Sequence, residues 1–313
     1  MGKKYIMYWD FDSPLYAACS FCEDKKILVE HLASGRTKEF KNKTEFWGSK
    51  RKEIGGWLAD QKGSWKRTDF NIKDLQVRNR VPLSKAKEYL DSKISFMKSQ
   101  DFCKDLRIAV QGKGNFRKDI YPEYKMNRGK KPLVFKELKK WFIDKYKPII
   151  INGIECDDTI SILQNWSYNN FGKDSEYVFI FIDHDLEQNP CWRLNPGDFK
   201  KGIYWIDEEY AMRSLYTSIL SGDVGDNIPG LEGTIPYLWD KYNLKGKRYS
   251  IGPGNAKKLL SDCKTEKDMI QRVQELYKYY YCDLWTEKLQ LNFRLLKLLE
   301  KKDELCIDFP FKL

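Results

Sequence analysis

Asn152-Gly153-Ile154-Glu155-Cys156-Asp157-Asp158-Thr159-Ile160-Ser161-Ile162-Leu163 follows the apolar run Ile149-Ile150-Ile151 and places three carboxylates within four residues. The spacing of Ile154, Asp158 and Ile162, and of Ile160 and Leu163, predicts a helix opening at this cluster, with Glu155 and Asp158 one turn apart. Helix N-termini favour acids, so a solvated helix start accounts for one or two of the three. Two further pairs stand at the carboxyl ends of expected strands. Asp10 and Asp12 follow Tyr5-Ile6-Met7-Tyr8-Trp9, and Asp183 and Asp185 follow Tyr177 to Ile182. Asp223 and Asp226 form a fourth set. In an open parallel sheet, ligands bind beyond the carboxyl ends of the strands, so acids there can converge in one crevice. Such a crowd repels itself unless cations neutralise it, and hard divalent ions with oxygen ligands do so. A pair of ions about 4 Å apart can stabilise both the attacking and the leaving oxygen of a phosphodiester.

The ordered segments Gly153-Ile154-Glu155-Cys156-Asp157-Asp158, Asp183-His184-Asp185, Ser221 to Gly230 and Ile251-Gly252-Pro253-Gly254 resemble the motifs of the 5′-nuclease (flap endonuclease) superfamily. That superfamily includes phage 5′-3′ exonucleases and the 5′-nuclease domain of bacterial DNA polymerase I. The resemblance runs in patches from about residue 5 to 260. It implies an α/β fold: a mostly parallel central sheet flanked by helices, a helical arch and an interrupted helix-hairpin-helix DNA-binding region. The expected division is a catalytic domain over 1–222, with a basic arch segment at 113–147, and a C-terminal region over 223–313 packed on it.

By the same resemblance, Asp10, Glu155, Asp157 and Asp158 surround one Mg²⁺ or Mn²⁺, and Asp183, Asp185, Asp223 and Asp226 a second. Asn115 to Arg128 is the closest contiguous match, and there Lys125 and Arg128 are expected to contact the reacting phosphate. Arg presents a planar bidentate donor and Lys a mobile point charge, both suited to a phosphate. Arg117 is expected to hold the segment or the strand, and Lys118, Lys130 and Lys131 the strand. Gly252, Gly254 and Lys257 would grip duplex phosphates in the helix-hairpin-helix, with a K⁺ ion there. The chain departs from the family in four places. Phe11 follows Asp10 where glycine is usual, leaving the role of Asp12 open, and Gln111 stands where an aspartate is common. His184 stands where relatives often have lysine, and residues 231–250 separate the two halves of the hairpin motif.

Composition bounds the reading. The 313 residues are 42% hydrophobic, enough for a substantial core, and the formal charge is +11 although the acids concentrate in one place. A polyanionic partner fits that asymmetry. No run approaches the roughly 20 apolar residues of a membrane span, and the start lacks a secretory signal. A monomeric cytoplasmic protein is expected, in the host cytoplasm if viral. Eight cysteines are scattered, and only Cys19 and Cys22 have C-x-x-C spacing, so reduced thiols rather than a zinc site are expected. His184 is expected to face outward.

Between Arg36 and Arg67 ten Lys or Arg face four Asp or Glu, interleaved with Phe40, Phe46, Trp47, Trp57 and Trp65. Such a stretch can track a phosphate backbone and stack on bases, or be a solvated surface with its aromatics packed inward. A hairpin over 27–47 and helices over 83–98, 135–146 and 208–220 are further expectations. Two packed helices close the chain.

The function expected is metal-dependent hydrolysis of DNA near 5′ ends, flaps or nicks, with RNA strands of RNA-DNA hybrids as further substrates. No side chain need serve as covalent nucleophile. A structure-specific nucleic-acid-binding protein with little or no catalysis is the alternative, motivated by Phe11, Gln111 and the interrupted hairpin. A ribonuclease of the same architecture is a third reading.

Overall fold

Tyr5–Asp10 (β1) is flanked by strands on both sides, and Met7, Tyr8 and Trp9 are all buried, which is why this strand reads as an unbroken apolar run. A computed structural model describes residues 3–49, 54–61, 65–231, 238, 241–242, 244 and 251–301. After β1 come α1 (Asp12–Cys19), β2 (Glu23–His31), β3 (Thr37–Phe40), α2 (Lys43–Trp47), β4 (Phe70–Arg78), α3 (Leu83–Lys98) and β5 (Cys103–Ala109). Then follow α4 (Arg117–Ile120), α5 (Phe135–Tyr146), α6 (Cys156–Phe171), β6 (Tyr177–Ile180), β7 (Cys191–Leu194), β8 (Ile203–Ile206) and α7 (Glu208–Ser221). The two-residue strands β9 (Gly222–Asp223) and β10 (Ile228–Pro229) lead to α8 (Pro253–Leu259), α9 (Glu266–Tyr281) and α10 (Trp285–Leu296).

The chain forms two compact units. The first comprises Met1–Ser13, Phe96–Gly129 and Pro148–Leu313. Its five-stranded sheet has the order β5-β1-β6-β7-β8, parallel except for the last pairing, so the mostly parallel α/β sheet is present. Tyr8, Phe179 and Phe181 from the sheet pack with Ile160 of α6, and Leu186 and Ile206 complete that layer. A second apolar cluster joins Tyr216 and Ile219 of α7 to Leu259, Met269, Val273, Leu289 and Phe293 of α8 to α10. Because α7 shares this core with the C-terminal helices, the boundary expected between residues 222 and 223 falls inside the first unit.

The second unit comprises Pro14–Ser95 and Lys130–Lys147. It contains the antiparallel sheet β3-β2-β4, together with most of α3 and α5; the hairpin expected over 27–47 is present with Ile27 opposite Phe40, but it ends at Phe40, and Lys43–Trp47 is helix. The expected arch segment 113–147 is therefore divided, with α4 in one unit and α5 in the other. Most of the 231–250 insertion, including Lys245, Lys247 and Arg248, lies outside the described residues. Its flanks meet, since the Ile251 N–H donates to the Leu231 carbonyl at 3.0 Å. No helix among the described residues is long and apolar enough to cross a membrane.

Candidate metal centre

Parallel pairing of β1 and β6 sets Asp10 and the Asp183-His184-Asp185 turn at the same end of the sheet. Glu155 is the N-cap of α6, and its own N–H donates to Asp158 Oδ2 at 3.1 Å, closing the first turn. Asp223 and Asp226 lie in the β9–β10 hairpin, where Ile228 pairs with Asp223 and Pro229 with Gly222. A Cβ on Gly230 would strike the Ser221 backbone, and Gly222 has φ +63°, so both glycines are required for the hairpin to close. The Gly225 N–H then donates to Asp223 Oδ1 at 2.7 Å, aiming that carboxylate.

Two groups of donor atoms result, each lying within 4.8 Å of one another: Asp10, Asp12 and Cys156, and Asp185, Asp223 and Asp226. Burial pushes Asp10 up to about 7, with the Asp12 charge adding to it. Burial likewise raises Asp185 to about 7, helped by the charges of Asp183, Asp223 and Asp226. Asp157 is pushed well above the ordinary carboxylate range, by burial and by its neighbours Asp10, Asp183 and Glu155. Asp223 is raised by burial and by Asp226. Mutual influence of this kind across both groups means a single, crowded negative field.

A divalent cation fits that field. Cys156 is buried beside Asp10 and Asp12, which keeps it a thiol that hydrogen-bonds Asp10, so the atoms offered in its group are carboxylate oxygens. All-oxygen donor sets suit Mg²⁺ and Mn²⁺. Asp12 is a member of this set that the sequence left open. The Gln111 N–H donates to its Oδ1 at 3.2 Å, so the chain supplies an acid from α1 beside the place where Gln111 provides none.

Lys125 and Arg128 stand on these acids. Lys125 pairs with Glu155, and at 3.3 Å with Asp226, while Arg128 pairs with Asp226. Burial works against the Lys125 charge, but Glu155 and Asp226 outweigh it and raise its pKa. Arg128 behaves alike through Asp226. The segment is tied down by its backbone: the Lys125 N–H donates to the Asp226 carbonyl at 2.8 Å, and Lys125 itself has φ +58°. Tyr124, which the sequence reading missed, has its hydroxyl 2.6 Å from Glu155 Oε2 and 2.8 Å from Asp226 Oδ2. Its only signal in the sequence was its place in the basic segment.

Two expectations are corrected. Asp158 is fully buried and accepts two bonds from Arg117, at 2.6 and 2.8 Å, plus the Leu299 N–H at 3.2 Å, which commits its oxygens to the fold instead of a metal. Arg117, 1% exposed, also donates to the carbonyls of Leu295 and Lys297, so of the two roles expected of it, it is placed to hold its segment and not to contact a strand. Lys118, Lys130, Lys131, Gly252, Gly254 and Lys257 are all exposed. His184 points outward and pairs with Glu187 at 3.0 Å. The seven described cysteines are free.

No family model matches the chain. It is 24% identical over 259 residues to the thermostable DNA polymerase I of Thermus thermophilus, covering 79% of this chain but 28% of the polymerase. It is 28% identical over 199 residues to a 5′-3′ exonuclease of Buchnera aphidicola from Acyrthosiphon pisum, covering 55% of this chain and 68% of the exonuclease. A homologous exonuclease from the Schizaphis graminum strain is 30% identical over 139 residues, 40% of this chain and 46% of that protein. The chain thus spans little more than a quarter of the polymerase and about half to two thirds of the exonucleases. Among solved structures, the phage T5 5′-exonuclease with zinc aligns at TM-score 0.37 and 18% identity, over 70% of this chain and 93% of that one. A T5 flap endonuclease complex with DNA and metal ions aligns at TM-score 0.36 and 16% identity, over 67% and 90%. By sequence, this chain is a homologue of proteins named 5′-3′ exonuclease and DNA polymerase I, each matched over part of its length.

Proposed function

We propose that this protein is a divalent-metal-dependent 5′ nuclease that hydrolyses DNA phosphodiesters near 5′ ends, flaps or nicks, and also RNA strands paired to DNA. The observation that carries the reading is the convergence of acids from β1, the α6 start, the turn after β6 and the β9–β10 hairpin, with Asp10, Asp157 and Asp185 all held above the ordinary carboxylate range. Asp10, Asp12 and Asp157 would hold one Mg²⁺ or Mn²⁺, and Asp185, Asp223 and Asp226 a second, with Asp183 and Glu155 between them. Bound there, such ions supply Lewis-acid stabilisation of phosphate oxygens and activate water.

The chain's own groups do the rest. Lys125 and Arg128 rest on Glu155 and Asp226, and with those acids holding metal both side chains would be free to bind a substrate phosphate. Tyr124 holds Glu155 and Asp226 in register. Lys118, Lys130, Lys131 and Lys257 offer exposed positive charge to the strand, and Gly252 and Gly254 an open backbone for duplex phosphates, with K⁺ as the ion of that motif. The protein acts as a monomer in the cytoplasm.

A second reading, a DNA-binding protein of this fold without catalysis, rests on Gln111, which removes one acid from the site. Incubation with 5′-labelled flap, nicked and RNA-DNA substrates in Mg²⁺ and in EDTA separates the two. Short labelled products that vanish in EDTA support the nuclease. Binding without products in Mg²⁺ or Mn²⁺ supports the second reading.

A further inference from the structure

Positive charge is unevenly divided between the two units. The second unit has 25 Lys and Arg against 13 Asp and Glu, whereas the first, which holds the whole acidic site, has 31 against 32. The excess over 36–67 coincides with the aromatic residues on one face of the β3-β2-β4 sheet. Phe40 and Phe46 are buried there with Ile27 and Val29 in one small apolar cluster of the unit. The tryptophans are placed differently. Trp57 stacks on Phe46 (centroids 6.0 Å, 23° between planes) and on Trp65 (5.7 Å, 26°), and Trp65 remains 36% exposed. Lys38 Nζ lies 4.9 Å from the Trp57 ring, and the Arg67 guanidinium 4.5 Å from Trp47.

Some cations elsewhere in this unit, Lys26, Lys73, Arg78, Lys85 and Lys145, pair with carboxylates. Among the described residues, no carboxylate pairs with the exposed side chains of Arg36, Lys38, Lys41, Lys43, Lys66 or Arg67. Burying a core explains Phe40 and Phe46. It explains neither the exposed flank of Trp65 nor the placing of Lys38 and Arg67, which pair with no carboxylate among the described residues, over tryptophan rings.

We infer that this face of the second unit is a binding surface for single-stranded nucleic acid, distinct from the acidic site. Unpaired bases stack on the exposed part of Trp65, and Lys38, Lys66 and Arg67 take the phosphates. Base faces are accessible only in a single strand, and aromatic stacking contributes about 1–3 kcal/mol per base regardless of sequence, so the ligand class is a single strand of no fixed sequence. A duplex would meet only the cations. The surface needs no metal and does not depend on cleavage.

The test uses the full chain in EDTA, with a fluorescein-labelled oligothymidylate of about 15 nucleotides and a duplex of equal length. Wild type is expected to bind the single strand more tightly than the duplex and to show tryptophan quenching on binding. Trp65→Ala should weaken single-strand binding about 10-fold. Lys66→Gln/Arg67→Gln, which leaves the aromatic stack in place, should weaken it and lower the salt slope by roughly 1.4, from two lost phosphate contacts. Cleavage of a nicked duplex in Mg²⁺, followed in parallel, reports on the acidic site separately. Single-strand affinity unchanged in both variants, or duplex affinity weakened by them as much as single-strand affinity, overturns the inference.

Discussion

Placing an arginine and an aspartate out of water costs several kcal/mol per ion, and the Arg117–Asp158 pair offsets this by satisfying nearly every donor and acceptor it has. Removing one partner strands the other. Arg117→Met should therefore lower unfolding stability by about 3–5 kcal/mol, read from urea titration followed by circular dichroism. A loss of DNA affinity without a loss of stability would return Arg117 to the surface role its charge suggested. Asp10 and Asp185 make a different prediction. Each has a folded pKa of about 7 against an ordinary 3.8, so the metal-free folded state binds more protons, and stability falls as pH rises through that window. The penalty is absent below 3.8, complete above about 7, and relieved by a bound divalent cation. The rise in melting temperature on adding saturating Mg²⁺ should thus be larger at pH 8 than at pH 5.5. A rise independent of pH would mean that the ions bind elsewhere.

Elements explain which of these fates could be read in advance. A carboxylate at the end of a buried strand has little structural excuse, so Asp10 and Asp183 were legible as site residues, as were the periodicities of α3, α5 and α7. Asp157 and Asp158 are adjacent and identical in type, yet one faces the acids and the other faces Arg117, a difference fixed by the rotation of α6 and by a residue 41 positions away. Tyr124 escaped notice because a phenol in a basic segment carries no pattern, and Asp12 was seen beside Asp10 but its role stayed open because Phe11 between them made the local backbone unreadable. At β9–β10 the spacing of Asp223 and Asp226 was readable, but the contact of Gly222 with Gly230 that enforces it was not. Gly230→Ala should cost about 2 kcal/mol or more, since backbone must move to admit the methyl, and should weaken metal binding measured by calorimetry. Wild-type metal affinity in that variant would show the hairpin to be irrelevant to the site.

For the whole molecule, the sheet class was legible in the sequence, because two pairs of acids at the ends of apolar strands point to a common edge, but the division into units was not. That division depends on α7 sharing a core with α8 to α10, and on chain that leaves and re-enters each unit, neither of which leaves a local signal. Net charge read over the entire chain likewise concealed that its excess resides in the unit without the acids. The central claim is that these acids form the centre of a 5′ nuclease, and single-turnover cleavage of a 5′-labelled flap DNA in Mg²⁺ by wild type and Asp183→Asn tests it most directly. The account predicts that the variant cleaves about 10²-fold more slowly or worse while binding the flap with nearly wild-type affinity in EDTA. Equal cleavage rates for the two proteins would contradict it.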